Sequence, residues 1–347
     1  MNAASKAWRI LRIAVGLSFT AGFAYLAFRH VDWKAAGDAV SRADPVWFVA
    51  GFAVMIPDYT LRILRWWLML RRVAPGTPFS RSIGPFLASV SLDNVLGFRA
   101  GDLARTAGFQ KYLGVSPMQV FGTLLMERTL GLASLLVLFF YTLRGVRPDG
   151  FPPVFVTAGY WIALACLVLL LFLLFTPGRL LGLADRMGRI SETRGWVLPA
   201  RISGWALQFF GSLCVIRSPG LVGGLLVLSL AIWVIEGVVY FLMGQSLSVG
   251  IPGVWPWFAL STGTLATAFP SAPGSLGTFD YFAIMGAVAY QVPQAKAIVL
   301  ALLVHVILWL PGTLTGLGWL AFYAGRQTAP GVDSSARTGA DELPSKK

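Results

Sequence analysis

In a chain that is only 12% charged, a few ionisable residues stand inside or beside long apolar runs. Asp93, Arg99, Asp102 and Arg105 occur in "LDNVLGFRAGDLART", Glu127 and Arg128 in "LLMERTLGL", Glu236 in "LAIWVIEGVVYFL", and Asp280 and His305 beyond it. If those runs cross a bilayer, each charge costs about 2.5–3.5 kcal/mol at the centre and requires a partner or a task. The tasks open to such residues are ion pairing, contact with a charged headgroup, and proton transfer.

Spacing narrows the choices. Arg99, Asp102 and Arg105 are three apart, so a helix beginning near Gly101 sets them on one face, where Asp102 pairs with either arginine. A second reading makes this stretch a helix N-terminus at the cytoplasmic interface, with the arginines snorkelling. Glu127 and Arg128 are neighbours and face different ways, so they do not neutralise each other. A buried pair with another helix and a headgroup contact both stay open for them, and for Glu236. "FPSAPGSLGTFD" (269–280) combines two prolines with Gly274 and Gly277, the composition of a turn whose free amides meet an anionic phosphate or line a pore. His305 reads either as a hydrogen-bonded packing residue or as a proton relay. Trp66, Trp67, Trp255 and Trp257 read as interfacial anchors.

Other chemistries lack their residues. The two histidines, His30 and His305, make no HExxH motif, and Cys166 and Cys214 lie in or beside apolar runs as packing residues. The sequence holds no P-loop and no D-x-D metal motif, and no cofactor is expected.

The elements that must position these residues are membrane helices. The chain is 56% hydrophobic, has a mean hydropathy of +0.70, and contains runs such as "YWIALACLVLLLFLLF" between short arginine-rich stretches. This predicts an all-α polytopic membrane protein with spans at about 11–29, 46–70, 116–142, 153–175, 220–246 and 295–323. The net charge of +13 then reflects cytoplasmic loops facing anionic lipid, and nucleic acid is not expected as a partner. The N-terminus carries no A-x-A cleavage triplet and reads as a retained helix. Residues 1–325 form one domain, and 326–347 read as a disordered cytoplasmic tail.

Two interrupted apolar regions, 79–97 and 255–292, decide the topology. If each is a hairpin returning to its own side, the N-terminus, loop 62–81, segment 99–117, loop 176–219 and the tail share one side with 21 Lys and Arg, and 5 lie on the other, with Arg128 and Lys296 inside spans. Letting 79–97 cross instead puts the six-arginine loop 176–219 outside. The sequence therefore predicts about six full spans plus two opposed re-entrant hairpins, the pattern of an inverted repeat around a site. Arg99, Asp102 and Arg105 then stay on the cytoplasmic side.

Taken together, "RILRWWLMLR" (62–71), "LDNVLGFRAGDLARTAGFQKYLGVS" (92–116), "LLMERTLGL" and "FPSAPGSLGTFD" resemble the flippase-like transmembrane domain of lysylphosphatidylglycerol synthases. The resemblance covers most of residues 10 to 325. It implies a bacterial inner-membrane protein, termini cytoplasmic, that moves a lipid between leaflets. It places a headgroup path at Asn94, Arg99, Gly101, Asp102, Arg105, Glu127 and Arg128, and at Pro273, Gly274, Gly277 and Asp280; Glu236 and His305 join them as deep polar groups. Gly97 stands where the family commonly has proline, Asp280 replaces a glutamate, and His305 lies near a usual arginine. The aminoacyl-transferase domain of the synthases is not expected in a chain ending at Lys347.

The leading expectation is a non-enzymatic translocator of a polar or charged lipid, either a phospholipid or an isoprenoid-linked one, served by a separate lipid-modifying enzyme. A membrane-embedded headgroup transferase or glycosyltransferase is the alternative from another class. An accessory role in lipid or hopanoid export is the third.

Overall fold

The structure, a computed structural model, describes residues 33–96, 99–147, 150–268 and 273–328, with Gly22, Phe23, Tyr25 and Leu26. Among the described residues it is all-helical, with thirteen α-helices and no strand. Proline sets many of the starts. Pro45, Pro117, Pro153, Pro177 and Pro219 each open a helix, where the missing N–H was unpaired anyway and the fixed φ suits the first turn.

Helix α1 (Trp33–Ser41) leads to α2 (Pro45–Val73), capped by Asp44, whose carboxylate accepts the Val46 N–H at 2.9 Å. Helix α3 (Phe79–Leu96) breaks and is followed by α4 (Ala100–Leu103), a π-helical turn (Ala104–Gly108) and α5 (Gln110–Leu113), which left-handed Gly114 ends. Helix α6 (Pro117–Leu143) starts in a capping box between Ser116 and Gln119. Then come α7 (Pro153–Phe175), α8 (Pro177–Thr193), α9 (Val197–Ile216) and α10 (Pro219–Ser246). Helices α11 (Trp255–Ala266) and α12 (Thr278–Ala289) flank a short 3-10 turn, Pro273–Ser275, before α13 (Gln294–Thr328).

Among the described residues five helices are long and apolar enough to cross a membrane: α2, α6, α7, α10, and α13 over Gln294–Ala324. They coincide with five of the six spans expected from hydropathy. The sixth, at about 11–29, lies outside the described residues except for four helical ones, of which Phe23 packs its ring 5.6 Å from those of Tyr281 and Phe282. The tail expected at 326–347 lies outside them too from residue 329; before it, α13 continues helical through Thr328.

The helix ends give each element a direction. Helices α2 and α10 run antiparallel, with the Asp44 N–H on the Ser246 carbonyl at 3.1 Å. One end of the bundle is therefore marked by Asp44 and the other by Val73. Helix α3 starts near the Val73 end and runs antiparallel to α13. Gly84 lies against Trp319, Gly316 against the Leu87 carbonyl, and the Asn94 amide reaches Thr313 Oγ1 at 2.9 Å. Helix α3 ends beside the middle of α13, and from Arg99 the chain comes back, so that Phe109 and Tyr112 meet Trp319 and Tyr323. Gly101 makes the two arms possible, since a Cβ there would lie 1.7 Å from the Ser89 carbonyl oxygen.

The second hairpin mirrors this from the Asp44 end. Helices α11 and α12, of 12 residues each, reach about 18 Å, too short for a hydrocarbon core of about 30 Å. They pack along each other, and the Tyr290 hydroxyl at the far end of α12 donates to the Thr142 carbonyl near the end of α6. The turn between them meets the first hairpin: a Cβ on Gly274 would lie 3.0 Å from Trp309 Nε1 and 3.7 Å from the Asn94 carbonyl.

Two stretches read as arginine-bearing loops are helical. Arg62 and Arg65 lie inside α2, which continues to Val73. Residues 176–219 form α8 and α9, a helical hairpin that returns to the Val73 end, where Arg217 donates to the Leu174 carbonyl at 3.1 Å.

Candidate functional site: charges behind two hairpin turns

Six charged side chains join the first hairpin to α2 and α6 in alternating sign. Arg65 Nη2 donates to Glu127 Oε1 at 3.0 Å, and its Nη1 to Ser229 Oγ at 3.0 Å. Glu127 Oε2 lies 3.2 Å from Arg105 Nη1, and Arg105 Nη2 lies 3.6 Å from Asp102 Oδ1. The same Asp102 oxygen accepts from Arg128 Nη2 at 2.6 Å, and Asp93 Oδ2 stands 3.8 Å from that nitrogen. Three arginines thus meet three carboxylates, and the chain of charges is neutral.

Burial grades along it. Arg105 is 1% exposed and lies between the rings of Trp66 and Phe86, its guanidinium 5.0 and 5.1 Å from their centroids. Glu127 and Arg65 are buried as well. At the other end the Arg128 side chain is 49% exposed. The contacts above engage only its Nη2. Arg99 is exposed at the hairpin turn in a left-handed conformation, φ 56°. Apolar Val95, Leu96, Leu103 and, from the second hairpin, Leu276 are exposed around these two cations.

Several expectations need correcting here. Arg99, Asp102 and Arg105 do not share a helix face, because the helix begins at Ala100 and Arg99 lies outside it. Of the two arginines expected as partners, Asp102 pairs with Arg105, and it also pairs with Arg128. Arg105 does not snorkel to an interface; the wide π-helical turn carries it into the protein, where Glu127 holds it. Trp66 and Trp255 are buried rather than interfacial: the Trp66 indole donates to Thr123 Oγ1 at 3.2 Å and that of Trp255 to the Ile251 carbonyl at 2.9 Å. The opposite facings expected for Glu127 and Arg128 are found.

The remaining sequence-predicted residues fall into two further places. Asn94 anchors the end of α3 to α13, donating to Thr313 and to the Trp309 carbonyl at 3.3 Å. At the second hairpin the Asp280 carboxylate accepts the Gly277 N–H at 2.8 Å with one oxygen and lies 2.8 Å from His305 Nδ1 with the other. Pro273 and Gly274 form the 3-10 turn facing Asn94; residues 269–272 are outside the described set. Glu236 belongs to a third group on α2 and α10, where Arg62 bridges it to Asp58.

Asp58, Arg62 and Arg65 were not singled out by sequence reasoning, which counted both arginines in a loop. Asp58 and Arg62 are four apart, the spacing of an ion pair along one helix face. That spacing was the available sign that α2 continues through them. Among the described residues no group of three His, Cys, Asp or Glu is placed to hold a metal.

A search of curated proteins finds no match to the chain. A family model described as the lysylphosphatidylglycerol synthase TM region matches residues 10–316. These residues include both hairpins and every charge described above, and the chain belongs to that family of membrane proteins.

Proposed function

We propose that the protein is a lipid translocator that moves a phosphate-bearing lipid between the leaflets of a bacterial inner membrane. The observation that carries this reading is the half-exposed side chain of Arg128. It is the twelfth of 27 residues in α6, about 16 Å from the helix start and so near half the depth of a bilayer. A cation facing hydrocarbon there costs several kcal/mol, and one facing a polar path does not. Arg99 lies at the adjoining turn, and together the two offer guanidinium N–H groups suited to a phosphate. The exposed Val95, Leu96, Leu103 and Leu276 beside them suit acyl or isoprenoid chains that stay in lipid while the headgroup crosses.

In this reading the two hairpins are re-entrant, from opposite faces, with their turns meeting at mid-depth. Broken backbone at that depth requires protein or a polar cavity around it. The order helix, hairpin, helix occurs twice in opposite directions, as α2, first hairpin, α6 and as α10, second hairpin, α13. This is an inverted repeat, and rocking one unit against the other alternates access to the site between them. The Val73 end is cytoplasmic. Of the 21 Lys and Arg first assigned to that side, Arg62, Arg65, Arg99 and Arg105 move inside, which leaves 17 against 5 and preserves the positive-inside bias.

Reconstitution tests the reading. Vesicles containing the protein and a fluorescent phosphatidylglycerol are exposed to dithionite, which quenches the outer leaflet only. Translocation appears as quenching beyond the outer-leaflet share and beyond that of protein-free vesicles. Equal quenching in both, with folded protein present, contradicts it. Cysteines placed at Ser80 and Ser248 test the topology, and labelling of both from the same side overturns the opposed hairpins.

A further inference from the structure

The second charged group on α2 has a different balance from the first. Arg62 Nε donates to Asp58 Oδ2 at 2.6 Å, and its Nη2 donates to Glu236 Oε2. Two carboxylates therefore share one guanidinium. Asp58 is fully buried and Glu236 6% exposed, while the Arg62 side chain, stacked 5.1 Å from the Trp233 ring, keeps 19% exposure and opens the group to the outside. Asp58 is the fourteenth of 29 residues in α2, which puts the group near mid-helix.

The neighbours do not supply a second cation. On α2, Tyr59 donates to the Leu308 carbonyl at 3.2 Å, and Arg65, one turn on, is held by Glu127 and Ser229. From α6 and α3, Arg128 is held by Asp102 and Asp93. On α10, Tyr240 is fully buried with no partner for its hydroxyl among the described residues, and it feels the charges of both Glu236 and Asp280. Beyond it, Asp280 of α12 is paired with His305 of α13. The second carboxylate oxygen of Asp58 likewise has no hydrogen-bond partner among the described residues. An uncompensated negative charge in such a site is costly, and a carboxylate relieves it by taking up a proton.

We propose that the Asp58–Arg62–Glu236 group is a proton-coupling site, which binds one proton from water at one membrane face and releases it at the other as the lipid crosses. The proton adds to a carboxylate oxygen of the pair and leaves from it, and no other bond forms or breaks. Protonation removes the excess charge and weakens the hold of Arg62 on one of its two helices. Because α2 and α10 are the first helices of the two repeat units, that change falls where the units meet. The inference rests on the translocator reading and adds its driving force.

The test uses the reconstituted full chain and the fluorescent phosphatidylglycerol probe, with the membrane potential clamped. If one proton moves per lipid, a gradient of one pH unit shifts the steady-state leaflet ratio about tenfold from its zero-gradient value. Asp58→Asn, which keeps the shape and one acceptor for Arg62, still translocates without a gradient but shows no shift; Glu236→Gln serves the same end should the first variant fail to fold. A wild-type leaflet ratio indifferent to pH gradients overturns the proposal, as does a shift that a sodium gradient produces instead, or one that Asp58→Asn retains. Absence of translocation under every condition removes the translocator reading itself, and the coupling falls with it.

Discussion

The two hairpins each place a carboxylate on a backbone N–H beside the turn, yet they use it differently and sit in unlike surroundings. In the first, the Asp93 carboxylate accepts the Gly101 N–H of the other arm at 2.7 Å; in the second, Asp280 caps the start of its own helix, accepting the Gly277 N–H at 2.8 Å. Behind the first stand Arg65, Arg105 and Arg128 with Glu127 and Asp102, whereas behind the second stands His305. The second hairpin thus forms without an arginine network. The buried part of that network ties the first hairpin to α2 and α6, and its half-exposed end is the cation that the proposed function assigns to the headgroup.

The sharpest way to break this contrast is Glu127→Ala. It leaves Arg65 and Arg105 buried without their shared partner, which costs about 3–5 kcal/mol. Detergent-solubilised protein is expected to unfold at much lower temperature; a shift no larger than that of His305→Ala would show that the first network is not under greater electrostatic demand. Next comes Gly101→Ala. With 1.7 Å to a backbone oxygen the arms must part, at about 1–3 kcal/mol, and a reporter pair across α3 and α4 should show greater separation. Gly274→Ala at the second turn meets a left-handed φ of 70° and a 3.0 Å approach to Trp309. The expected cost is about 1–2 kcal/mol, also read by thermal unfolding. The smallest effect belongs to Asn94→Ala, which removes the link to Thr313 at about 1 kcal/mol and should leave the rest of the fold unchanged by proteolysis.

Hydropathy exposed the long spans because each is a continuous apolar run, and the turn expected from the Gly and Pro content of 269–280 is found over residues 273–277, the part described. The paired facings of Glu127 and Arg128 followed from helical geometry alone. What stayed hidden depended on contacts across the bundle. Arg62 and Arg65 looked like the start of a loop, since a charge after an apolar run ordinarily ends a span; besides Asp58 on the same helix, Glu236, Glu127 and Ser229 on other helices make them internal. Arg105 looked interfacial for the same reason. Its depth is set by a π-helical turn and two aromatic rings that no local pattern announces. Helices α8 and α9 were missed because the six arginines of 176–219 were read as marking a loop, although α8 is amphipathic and α9 is mostly apolar with Arg201 alone inside it.

Arg128 separates the structural part of the network from the part assigned to lipid. Its side chain is half-exposed, so truncation should leave the fold largely intact, unlike that of Glu127. The direct measurement is the dithionite assay on vesicles holding wild-type, Arg128→Lys or Arg128→Ala protein at matched density. A mid-path cation that contacts the headgroup predicts at least about a tenfold loss of rate in Arg128→Ala, the loss of one charge-assisted contact, with partial recovery in Arg128→Lys. Folded Arg128→Ala that translocates the probe at the wild-type rate would contradict it.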